Sequence, residues 1–133
     1  MLTADPFAAD SPASGYSVGA DGTVAYSTVE PVSGSLLRSL QTLLGSEDVV
    51  VRPCSGTWVC VTAAEEDGPV NMPLTVTATT LGLRDEDGRF VNLSGPGVFL
   101  TVDRGSKELR SLTDSTANRL LAVFADTEER LRA

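Results

Sequence analysis

The sequence predicts an α+β domain, an antiparallel sheet of about five strands flanked by an N-terminal amphipathic helix and a long C-terminal helix. Three observations predict it. Leucines recur at helical spacing in "SGSLLRSLQTLLG" (33–45). Runs rich in Val, Thr and aromatics, broken by short turn sequences, fill residues 47–103. A second helical stripe occupies the C-terminal segment.

Taken in order, "MLTADPFAADSPAS" is small, polar and Pro-interrupted without a period. It reads as a mobile tail over residues 1–14, leaving 15–133 as one domain. "GYSVGADGTVAYSTVEP" sets two β-prone runs about Ala20-Asp21-Gly22, a hairpin that Pro31 ends. In the following helix Leu36, Leu37, Leu40, Leu43 and Leu44 form one stripe, suited to a core or a subunit contact. Ser33 or Ser35 can cap its start, and Gly45 stands where a left-handed residue closes a helix.

"DVVVRP", "TWVCVTA", "LTVTATTLGL", "RFVNL" and "GVFLTVD" read as strands whose short connections favour antiparallel neighbours. The longest break, "AAEEDGPVNMP", carries two prolines, which disfavour a helix there. A two-residue turn at Ser55-Gly56 opposes Cys60 to Val51 and sends the Cys54 and Cys60 thiols to opposite faces, leaving both free. "SKELRSLTDSTANRLLAVFADTEERLRA" reads as helical, with Thr113 or Asp114 as cap and Ala117, Leu120, Leu121, Phe124 and Leu131 as its apolar face. Asp126 with Arg130, and Glu128 with Arg132, stand acid-first at i,i+4.

A chain of 133 residues with net charge −8 suits one core and repels a phosphate backbone, so a nucleic-acid partner is not expected. No Lys or Arg precedes Arg38. No stretch suits membrane insertion and no leader pattern opens the chain, which points to a cytoplasmic protein.

Histidine is absent, which removes Ser-His-Asp and Cys-His catalysis and His-ligated zinc. "DEDG" fails as a calcium loop: counting from Asp85, Phe90 stands where Gly is required and Pro96 where Glu is required. Asp87-Gly88 between apolar flanks reads instead as a hairpin turn. No catalytic residue, metal site or cofactor is expected, and the chain does not read as an enzyme.

"TLGLRDEDGRFVNL" (80–93), followed by "LTDSTANRLLAVFADTEERLRA", resembles the small type III secretion chaperones of the Tir-chaperone (CesT-like) class. "SLLRSLQTLLG" is similar to that family's amphipathic first helix. The resemblance implies a non-enzymatic homodimer that holds an extended segment of a secreted effector protein. It places partner-binding positions at Leu36 and Leu40 on the first helix, and at Trp58, Val76, Phe90 and Leu93 on the sheet. Two other readings fit the element order: a helix-grip domain enclosing a small apolar ligand, or a structural protein of a phage or secretion particle.

Overall fold

A computed structural model describes residues 5–64 and 68–132. It is an α+β fold, and every ladder in its six-stranded sheet is antiparallel. In chain order the elements are β1 (Ala13–Val18), β2 (Val24–Val29), α1 (Leu37–Leu44), β3 (Val49–Pro53) and β4 (Trp58–Ala63). Then come α2 (Met72–Thr80), β5 (Gly97–Val102), β6 (Leu109–Arg110) and α3 (Asp114–Arg132). The sheet order is β2-β1-β5-β4-β3, with β6 pairing the far end of β5. β2 and β3 are therefore its two edges.

Side chains alternate across the strands, so the sheet builds a core on each face. One face gathers Val18, Trp58, Cys60 and Phe99 with Leu74 and Ala78 of α2 and Leu120 of α3. The other gathers Val59, Val61, Val98 and Leu100 with Leu36, Leu40 and Leu44 of the α1 region. β1 and β5 approach closely because Gly15 has no side chain: a Cβ there would stand 2.0 Å from the Phe99 carbonyl oxygen.

The N-terminal hairpin forms where the sequence placed it. So does α1, which the Ser35 hydroxyl opens by accepting from the Leu37 N–H and Gly45 closes at φ 67°. Thr113 caps α3 through the Thr116 N–H at 3.2 Å, and both predicted i,i+4 ion pairs are present. Residues 5–12, read as part of a tail, run beside α1 and β6. The Leu36 N–H donates to the Phe7 carbonyl and the Leu109 N–H to the Pro6 carbonyl. Residues 13 and 14, also read as tail, open β1, and residues 1–4 lie outside the described residues.

Four expectations are corrected. "LTVTATTLGL" is not a strand; its first part is α2. The Asn71 side chain caps that helix by accepting from the Leu74 N–H, and Pro73 sits in the first turn, where its missing N–H costs nothing. "RFVNL" makes no ladder either. Asp85 accepts from the Asp87 and Arg89 N–H groups to form the turn, but the returning chain binds helix α2 instead of a strand. Leu93 is held by the Thr75 hydroxyl and by the Asn71 N–H. Residues 106–113 are not helical: a turn with Lys107 at φ 63° leads into the two-residue strand β6. In the β3–β4 hairpin Cys60 opposes Arg52, and the Cys54 N–H donates to the Trp58 carbonyl across a three-residue loop. That one-residue slip puts both cysteines on the α2/α3 face, as a shift of register must.

Candidate functional site

The six positions singled out from the sequence do not converge. Leu36 and Leu40 are fully buried on the α1 face, whereas Trp58 and Leu93 are buried in the core on the opposite face. Val76 lies half-buried on α2, not on the sheet. Phe90 stands in a loop, 72% exposed, with the Arg84 guanidinium 4.7 Å from its ring centre.

What the fold does assemble lies at the other edge, around β2. The Gly19 N–H donates to the Thr23 carbonyl at 2.8 Å. Alternation along an antiparallel ladder then turns the N–H and C=O groups of Ala25, Ser27 and Val29 toward β1. Those of Val24, Tyr26 and Thr28 face outward. β1 agrees with this phase, since the Ser14 carbonyl, one residue off, accepts from Leu112 on the side away from β2.

The same three residues direct their side chains to the α3 face. Val24 pairs with core Val18, and Tyr26 pairs with Tyr16. The Thr28 hydroxyl meets that of Ser14 at 2.9 Å. An aromatic series ties this edge to the helix: Tyr26 to Tyr16 at 5.2 Å, Tyr16 to Phe124 at 6.1 Å and Phe124 to Phe99 at 5.9 Å. Each edge-to-face contact is worth about 1 kcal/mol beyond its burial, so the wall is firm.

Beside this wall runs an apolar groove of about 540 Å³, bounded by Val24, Pro73 of α2, and Leu121, Phe124 and Leu131 of α3. Val24, Tyr26, Leu121 and Leu131 are all exposed large hydrophobic residues. The sequence carried the signal: α3 has more apolar positions than one buried stripe needs, and β2 repeats apolar residues on alternate positions. Leu120, Phe99 and Phe124 fill the space between sheet and α3, so the apolar concavity on this face is the open groove at its margin.

β2 also lacks the devices that discourage pairing at an edge. It has no charge and no proline, and its register with β1 runs without a bulge. The opposite edge differs. β3 contains Arg52, ends on Pro53, and borders a groove of about 640 Å³ that Arg84, Asp85 and Glu86 make polar.

Neither thiol suits nucleophilic chemistry. Burial pushes the Cys54 thiol up to about 11, and burial with the neighbouring Cys54 raises Cys60 further, so both stay protonated at neutral pH. Among the described residues no cluster of His, Cys, Asp or Glu is arranged to hold a metal ion, and no helix is long and apolar enough to cross a membrane. No family model matches the chain, and no curated protein or solved structure is significantly similar to it.

Proposed function

We propose that this chain is a non-enzymatic binding protein that holds an extended segment of a partner protein against its β2 edge. The observation that carries the reading is the coincidence of two features along one strand, outward backbone groups and an apolar groove at its Val24 end. Val24, Tyr26 and Thr28 offer outward backbone groups, Val24 lines the apolar groove, and Tyr26 is tied through Tyr16 to Phe124 in the groove wall. A strand added there satisfies the backbone of β2 and sends alternate side chains toward Leu121, Phe124 and Leu131. Backbone hydrogen bonds at about 1 kcal/mol each are too few on such a short edge to offset the cost of association. The groove must supply the rest.

The secretion-chaperone form of this reading, in which the segment belongs to a secreted effector, rests on the resemblance in α1 and α3. The stretch 80–93 no longer contributes to it as a hairpin. Hydrogen exchange on the complex with a co-purified partner tests the proposal. The amides of Val24, Tyr26 and Thr28 should slow on binding; protection confined to β3 or the 84–92 loop would sink it.

A further inference from the structure

We infer that the segment taken up at the β2 edge is an uncharged extended stretch with Lys or Arg at both of its ends. The inference rests on the binding reading above and concerns what that edge selects. From Gly22 to Val29 no residue is charged, and the charged residues lining the groove, Glu128 and Arg132, pair with each other, so this edge favours an uncharged partner strand. Each end of this stretch carries an exposed acid, Asp21 before it and Glu30 after it.

Both acids sit on fixed backbone. Asp21 accepts from the Thr23 N–H at 2.9 Å inside the hairpin turn. The Glu30 carbonyl accepts the Ser39 hydroxyl of α1 at 2.6 Å. The Thr23 hydrogen bonds also hold the Asp21 carboxyl below the usual carboxylate range, so it stays charged at neutral pH.

Among the described residues the ion pairs do not include Asp21 or Glu30. The first 37 residues contain no Lys or Arg. Arg132, which lines the groove, is paired with Glu128, and Arg130 is paired with Asp126. The strand between the acids is six residues long, so a matched partner carries about six extended residues between its basic ends.

The same charges argue against a second copy as occupant. If β2 paired with itself about a two-fold axis at Tyr26, Glu30 of one chain would lie opposite Gly22 of the other. It would then stand one residue from Asp21, at both ends of the joint, and like charges so placed oppose pairing.

The test uses fluorescence anisotropy with two synthetic peptides of about ten residues that alternate Val and Thr in the middle. One carries Lys pairs at its ends and the other Glu pairs. The Lys-flanked peptide should bind about tenfold tighter at low salt, and the gap should close near 0.5 M salt, where exposed charges are screened over a few ångströms. Asp21→Asn with Glu30→Gln, which keeps the turn acceptor, should also close it. Val24→Pro, and separately an N-methylated form of the Lys-flanked peptide that leaves the protein untouched, should each abolish binding.

Equal affinities for the two peptides, with both blocks effective, would overturn the charge inference and leave edge binding standing. Failure of both peptides to bind, or binding that survives both blocks, would overturn edge binding and the inference with it. Self-association that Val24→Pro reverses would show the occupant to be a second copy and would likewise overturn the inference.

Discussion

Replacing Asn71 should be among the most damaging single changes in this protein, because one side chain joins three segments. Asn71 is 3% exposed. Its Oδ1 accepts from the Leu74 N–H at 3.2 Å and opens α2. Its Nδ2 donates to the Gly19 carbonyl of the N-terminal hairpin at 2.9 Å and to the Gly95 carbonyl before β5 at 2.8 Å. Asn71→Ala loses the cap, worth about 1 kcal/mol, and two hydrogen bonds worth about 1 kcal/mol each, about 3 kcal/mol in all. The sum is held to the low end because the Gly19 carbonyl keeps a second donor, the Gly22 N–H at 2.8 Å. For a domain of this size the melting temperature should fall by about 12 °C. Urea unfolding followed by fluorescence of Trp58, the single and buried tryptophan, measures the loss. Asn71→Asp separates the contributions. It keeps the capping oxygen but cannot donate when ionised, and it turns a carboxylate on two carbonyls. It should therefore cost at least as much at neutral pH. A near-native Asp variant, or an Ala variant that loses under about 1 kcal/mol, would refute the three-way role.

Gly15→Ala should prevent β1 from pairing with β5, since the new Cβ would overlap the Phe99 carbonyl at 2.0 Å and that oxygen is backbone. A soluble variant with unchanged thermal melting would contradict this. Alkaline pH should destabilise the fold through Cys54, whose thiol is held by burial at about 11 against an ordinary 9.0. The folded state keeps this proton where the unfolded chain has lost it, so unfolding free energy falls as pH rises from 9.0 to about 11. Cys54→Ala should reduce that slope, with the more deeply buried Cys60 contributing the rest; an unchanged slope would assign it to other groups.

The elements legible in the sequence were those with an unambiguous local period. The N-terminal hairpin, α1 and α3 announce themselves through turn chemistry, a leucine stripe and i,i+4 pairs, and α3 starts at the cap expected at Thr113 or Asp114, though not at the start of its segment. α2 was illegible because "MPLTVTATT" is rich in β-branched residues and has no apolar stripe. It is a helix because Asn71 caps it and its hydroxyls find partners: Thr75 at Leu93, Thr77 at Thr127 and Thr80 at the Val76 carbonyl. At the end of the stretch 89–93 the Leu93 N–H and carbonyl are taken by the Thr75 hydroxyl and the Asn71 N–H in place of a strand partner. The cysteine faces were missed by one residue of loop length, which sequence does not specify.

The candidate site shows the same division. Leu36, Leu40, Trp58 and Leu93 were recognisable as large apolar residues on ordered elements, and burial took all four into the two cores. Local sequence determined the class of the fold, its terminal helices, its acidic N-terminal hairpin and the absence of histidine chemistry, because these depend on residue type and near neighbours. Only the tertiary structure decided that β2 lies at an edge, that α3 stops short of covering it, and that Val24 meets Leu121 and Leu131 across a groove. Strand order and helix placement follow from contacts between residues far apart in the chain. No local pattern encodes which strand is left without a neighbour.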